Sequence, residues 1–552
     1  MGVPVATITS QGSKLDPTIE LLSLEIHREL NRIPEATLVL LDGSVAERRF
    51  SVSNLAFFLP GASIAIALRY EGDPTDVTVF EGLVVRHSVE RSAEGSSLRV
   101  ELKDAAFVLT RTRHSAVFRD VTDSEVMASL IADAGLKTGV IDSTTTRHHE
   151  LVQYHATDWD FMLSRAEVLG LGVSVHRGAI SVRRIALAAS RRRLDHGVDD
   201  VAEISLELDG SQPWAAINGI GWDLTNGQAT SPEAATQLEV PVGNLDVEAV
   251  ANALGGSEEN LLHPVVFEPG ELADWVSARL LRSRFALLRG RALVAGDASL
   301  EPLDTVEILG VGDRFNGKAL VSAVTHTLNE NGWQSELRLG LPPEPFAGRP
   351  DLADLPAAGL LPPLRGLQIA TVGSLETDDQ NQFRVQVRLP ALSGEQGALW
   401  ARLATPDAGD GRGFVFRPEV GDEVVLGFLG DDPRQPVVLG ALHSARNPPP
   451  APVDNPDEDN NLRAIVSRAG TRIVFDDAKP ALTLETTGDG KASGTYKNRI
   501  AIDQSAGTIS IEDQHGNSLL LDKEGITLSS AKDFKVEAKG KVVIKGAAVD
   551  IQ

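Results

Sequence analysis

The densest group of metal-type ligands in the chain is His148, His149, Glu150 and His155. A helical zinc site sets two histidines four residues apart with a glutamate between them, so that both rings reach one ion. This run lacks that spacing and reads as a solvated strand end before Tyr154. Arg191, Arg192 and Arg193, followed by Asp195 and His196, could hold an anion, but charges so closely packed more often form a surface loop. Gly255, Gly256 and Ser257 lack the preceding strand and the lysine of a phosphate loop. A Gly-x-Ser-x-Gly nucleophile elbow is not evident. The chain has no cysteine, which excludes disulfides, thiolate metal sites and cysteine nucleophiles. The reading is therefore of a non-enzyme, with no catalytic, cofactor-binding or metal-ligating residues.

The elements that would carry any activity are spread over 552 residues, enough for about three or four domains. Apolar residues make up 42% and charged residues 23%, so real cores can form. A formal net charge of -25 argues against a general nucleic-acid binder, which needs a basic surface to release counterions. The first twenty residues show no basic stretch followed by an apolar one, so no secretory signal is expected and synthesis is placed in the cytoplasm. No apolar run is long enough for a spanning helix.

Two proline-rich breaks, 346–364 and 447–461, divide the chain, because proline lacks a backbone donor and restricts its predecessor. Residues 1–345 mix both periods. Alternating runs such as Ala36 to Asp42, Val79 to Glu90 and Ser96 to Asp104 predict antiparallel strands. Helical spacing appears at Asp123 to Leu136, with Asp123 or Ser124 as N-cap and Gly135 as the stop, at Asp158 to Gly170, and at Leu272 to Leu288. This block reads as two β-barrels with helices between and beside them. Residues 365–446 carry five short strand patterns, which fit a small closed barrel of the OB type. Nucleic-acid binding by such a barrel needs aromatics interleaved with basic residues; Phe414, Phe416 and Phe428 instead have apolar partners, with Asp431 and Asp432 beside them.

Residues 462–552 carry a repeat. Ile526 and Leu528, Phe534 and Val536, and Val542 and Ile544 are apolar pairs that recur every eight residues, flanking Thr527, Lys535 and Val543. Positions two apart share one face of a strand, so each pass offers a short apolar stripe and then turns. Two inward residues per pass bury too little to offset an ordering cost of about 1–2 kcal/mol per residue. Eight residues is also too short for one coil of a single-chain β-helix, so three chains wound into a prism are expected: a homotrimer. About ten passes from Thr471 to Ile551, at roughly 4.8 Å each, would make a rod on the order of 50 Å long. Lysines such as Lys491, Lys523, Lys535 and Lys545 would keep its outer face soluble.

Taken together, these blocks resemble a known family. The segment from Trp400 through Asn447-Pro-Pro-Pro resembles the OB domain of VgrG proteins and phage cell-puncturing spikes. Leu109 to Leu136, Tyr154 to Val175 and Gly296 to Leu341 resemble the hub of the phage late-control D and VgrG superfamily. The resemblance implies a mainly β chain with an α+β hub, an OB barrel and a C-terminal trimeric intertwined β-helix. Its implied function is the central spike and baseplate hub of a contractile injection system, joining the tail tube to a membrane-puncturing tip. Implied partners are inner tube and baseplate proteins at the hub, effector cargo, the target membrane in passing, and a PAAR-type tip protein docked on Val549, Ile551 and Gln552. The last strand pattern runs to the final residue, so the rod is expected to end blunt with no fused toxin. Extracellular or phage-tail-like particles are favoured over a type VI secretion spike. Some phage spikes insert a lysozyme between barrel and rod, so a cell-wall or polysaccharide hydrolase is the rival class. Such an insert needs roughly 150 residues with paired carboxylates, and only 447–461 lies in that gap.

Overall fold

The computed structural model describes residues 2–43, 48–91, 95–198, 201–376, 378, 380–392, 397–454, 458–487 and 496–551. The protein is mainly β, with 44% strand and 12% helix. It divides into two compact units, Met1–Asp354 and Leu355–Gln552. Residues 346–354, expected as the start of a linker, belong to the first unit. Phe346 is buried beside Trp159 and Met162, and its amide donates to Glu167 Oε1 at 2.9 Å.

Within the first unit, strand Leu21–Glu29 pairs antiparallel with Gly317–Asn329, Leu24 opposite Leu328 and Glu29 opposite Ala323. This seam lies within a 13-stranded sheet, while the long strands Arg113–Thr122 and Arg147–Thr157 pair apart from it. On one side, alternate residues Leu24, Ile26, Leu38, Leu40, Ile64, Ile66, Leu98 and Val100 point into a common core, as the period of two requires. On the other side Val306, Ile308, Val321, Val324, Leu337 and Leu339 build a second core. The two expected barrels are thus separate as cores and continuous as a sheet. The physical reason is strand length: at about 3.3 Å per residue, the 13-residue strand Gly317–Asn329 is long enough to serve both cores.

Among the described residues four α-helices accompany the sheet: α1 (Asp123–Asp133), α2 (Asp158–Val168), α3 (Val247–Ala253) and α4 (Glu271–Phe285). The N-cap of α1 is Thr122, not Asp123 or Ser124. Thr122 Oγ1 accepts from the Glu125 amide and Glu125 Oε2 accepts from the Thr122 amide, a capping box that places Asp123 inside the first turn. Gly135, at φ +70°, ends the helix as expected. Helix α4 stops at Phe285, and Leu288 already begins the next strand. Helix α3 was not expected; seven residues show too few turns for a period to stand out.

A buried polar cluster lies at the seam. Arg28 is 2% exposed and donates through Nη2 to the carbonyl of Leu300 at 2.7 Å and to His326 Nε2 at 3.2 Å. With Nε2 accepting, the proton of the neutral ring sits on Nδ1, which donates to Ser335 Oγ at 2.8 Å. Burial, reinforced by the Arg28 charge, pushes the His326 pKa down to about 3. The unfolded state therefore takes up a proton that the folded state refuses. The stability this group confers is complete above about pH 6.5 and falls as pH drops toward 3, by about 1.4 kcal/mol per unit. Between pH 6.5 and 4.5 the wild type is expected to lose about 2–3 kcal/mol more than His326→Gln, measured by urea unfolding at the two pH values.

In the second unit, strands Gln368–Ser374, Val385–Arg388, Ala398–Leu403, Pro436–Ala441 and Glu423–Phe428 close a barrel in that order. Val372, Val387, Ala401, Val424, Leu426 and Val438 fill it. Of the stretch Gly413 to Gly430, only residues from Glu423 pair in the barrel. Pro418 cannot donate to a ladder, and Phe414 and Phe416 remain exposed before it. Beyond the barrel, seven antiparallel strands form a meander: Leu462–Val466, Arg472–Asp476, Ala481–Thr487, Tyr496–Asp503, Thr508–Glu512, Ser518–Asp522 and Gly525–Ser529.

Candidate functional site

The structure does not bring His148, His149, Glu150 and His155 together on one site. His148 is not solvated. The strand Arg147–Thr157 turns it inward, 2% exposed, while His149 faces out toward Asp120 at 3.5 Å. His148 Nε2 lies 2.7 Å from Oδ2 of the buried Asp123. Arg165 on α2 donates from Nε to Asp123 Oδ1 at 2.6 Å and from Nη2 to Glu271 Oε1 at 3.0 Å. Burial acts against the Arg165 charge, but the Asp123 and Glu271 carboxylates outweigh it and raise its pKa. The network staples α1, α2, α4 and the strand together, and its members are spent on one another. Glu150 pairs with Arg119 at 3.2 Å, and His155, at φ +44° in a bulge, pairs with Asp354.

Arg191, Arg192 and Arg193 form no surface loop. They belong to strand Ser190–Asp195, which runs parallel to Thr305–Leu309 with Leu194 fully buried between them. Arg192 donates to Asp297 at 2.8 Å. Gly255, at φ +86°, follows the C-terminus of α3. Among the described residues, no group of three or more His, Asp or Glu side chains is arranged to hold a metal ion.

What the structure does assemble is an apolar face on the meander. Across the strands, Ile465, Ile473, Leu484, Ile500, Ile511, Leu519 and Leu528 stand opposite one another in turn and form a continuous ladder. Two residues along each strand, Phe475, Leu482, Ile502, Ile509, Leu521 and Ile526 form a second. Both ladders lie on the same side of the sheet, because the side-chain period is two. Yet Ile500 is 44%, Ile502 47%, Leu528 61% and Ile526 73% exposed. Contiguous apolar surface of this extent marks an interaction site.

Sequence reading found only the last rungs of these ladders. Successive strands from Arg472 onward start 7 to 15 residues apart, so no fixed period announces the earlier rungs. Between Arg472 and Ser529 the strands accordingly do not follow the uniform eight-residue passes expected from Thr471 to Ile551. After Ser529 the described residues form no strand: Phe534, Val536, Val542 and Ile544 lie exposed in irregular backbone, as do Val549 and Ile551. Gln552 and Lys491 lie outside the described residues.

Residues 368–443, the span of the closed barrel, match the model of the type VI secretion system/phage-baseplate injector OB domain. The barrel is thereby of the injector OB class, and the chain is VgrG-like. The chain belongs to the Alg8 N-terminal domain family, whose model matches residues 2–330. It is 23% identical over 501 residues to the type VI secretion system spike protein VgrG1c of Pseudomonas aeruginosa, covering 85% of this chain and 66% of that protein. It is 34% identical over 96 residues to the actin cross-linking toxin VgrG1 of Vibrio cholerae, covering 16% of this chain and 9% of that protein. The chain thus spans less than two thirds of the length of either relative. A 43 kDa tail protein of prophage MuSo2 from Shewanella oneidensis aligns with a TM-score of 0.46 at 12% identity, over 62% of this chain and 98% of that one. No helix among the described residues is long and apolar enough to cross a membrane.

Proposed function

We propose that the chain is the homotrimeric central spike and baseplate hub of a contractile injection system, and that it works by transmitting force without catalysis. The observation that carries this reading is the pair of apolar ladders. One sheet layer leaves them in water, and among the described residues no second layer covers them. Three copies, each contributing one face, would close a dry prism and leave few strand edges, which makes a stiff rod. The exposed apolar pairs after Ser529 would extend that prism once neighbouring chains supply strand partners. In this reading the hub meets inner tube and baseplate proteins, and the rod end at Val549, Ile551 and Gln552 receives a PAAR-type tip. Effector cargo travels with the spike, and the target membrane is met only during injection. The particle is assembled from cytoplasmic chains and released in the manner of an extracellular or phage-tail-like device. A type VI secretion spike is the second reading, favoured by the match to VgrG1c along 85% of the chain.

Light scattering of the purified chain, with and without residues 462–552, tests the assembly. The full chain is expected at the mass of three copies, and the truncated chain at a lower or heterogeneous mass. A monodisperse full-length monomer would sink the spike reading and reopen the hydrolase alternative, to be checked by turnover on peptidoglycan.

A further inference from the structure

Beside residues 346–352, the first unit holds an open polar cavity of about 570 Å³. Arg32, Lys103, Arg111, Arg113 and Arg349 line it, against the carboxylates Glu35, Asp160 and Asp351. A cationic excess is notable in a chain with a net charge of -25. Two of the cations are already engaged. Arg32 pairs with Glu29 at 3.2 Å, and Arg113 donates to the carbonyls of His155 at 2.9 Å and Leu352 at 3.2 Å. The other three are held by aromatic rings instead. Lys103 Nζ lies 5.4 Å and the Arg111 guanidinium 5.5 Å from the centroid of Phe107, and the Arg349 guanidinium lies 5.1 Å from that of Phe346. Among the described residues none of these three has a carboxylate partner.

Two cations on one ring repel each other, and a ring quadrupole compensates only part of that cost. The wall carrying Arg349 is preformed: Phe346 is buried and its amide is held by Glu167. The backbone that carries Arg349 is thus fixed, while the exposed Arg111 and Arg349 side chains order on the ligand. Guanidinium forks match tetrahedral oxyanions through paired hydrogen bonds, and several negative charges on few atoms are needed to outweigh the three lining carboxylates.

We propose that this cavity binds a small polyvalent phosphate, an anion carrying at least two phosphate groups, with Lys103, Arg111 and Arg349 as its ligands. Isothermal titration of the full chain with sodium tripolyphosphate at constant ionic strength tests it. Saturable binding of one anion per chain is expected. Arg111→Gln and Arg349→Gln should each weaken it about tenfold, as loss of a charge-assisted contact does, while Lys523→Gln on the tail leaves it unchanged. Thermal unfolding without anion should give each variant the wild-type midpoint, which separates lost binding from lost fold. Absence of saturable heat, equal affinity in all variants, or citrate binding as tightly as tripolyphosphate would each overturn the assignment.

Discussion

Leu528→Asp is expected to dismantle the proposed trimer while the first unit remains folded. Leu528 is the last rung of a ladder, opposite Leu519, and 61% exposed in the single chain. If three chains close on this face, the substitution puts three carboxylates at one level of an interior without water. Burying an unpaired charge costs several kcal/mol, and here the three also repel one another. Val536→Asp should act in the same way one pass further on. Thr527→Asp is the matched control, since Thr527 points to the opposite face of the same strand. Light scattering should report loss of the three-chain mass for Leu528→Asp and Val536→Asp but not for Thr527→Asp. If Leu528→Asp remains trimeric with an unchanged melting midpoint, the ladder does not face the interior of the assembly.

The second large effect is expected at Asp123. Its carboxylate is 1% exposed and receives both Arg165 and His148. Asp123→Ala leaves the Arg165 guanidinium mostly buried with Glu271 as its remaining carboxylate, and breaking a buried pair in this way costs about 3–5 kcal/mol. The first unit should therefore unfold at markedly lower urea, while a rod formed by residues 462–552 keeps its chain number. Replacing both partners by apolar residues, Asp123→Leu with Arg165→Met, should cost less than the single change, because no uncompensated charge is left behind. A double variant less stable than Asp123→Ala would show that the network contributes net stability beyond satisfying its own members.

Much of the fold was legible because its signals are local. Alternation in Ser96–Lys103 and helical spacing in Asp158–Val168 need only neighbours along the chain, and the structure forms both. The five strands of the barrel were legible for the same reason, with proline and glycine marking their ends. His148 was misread because a strand's two faces look alike in sequence until something packs on one of them. The helices α1, α2 and α4, which come from 123–285, supply that packing. Arg192 was misread in the same way: its strand partner, Val306, lies more than a hundred residues along the chain.

By itself, the sequence determined the OB-type barrel, the absence of cysteine chemistry and the apolar pairs near the end of the tail. Each depends on residue type or on spacing within a strand or a turn. Only the tertiary structure decided that the two cores of the first unit share one sheet, that His148 is part of an internal staple, and that the apolar face runs through all seven strands of the meander. Those outcomes depend on register between strands separated by loops of unequal length. A slip of one residue would turn every rung to the other face, so the ladders become visible only when the pairing is known.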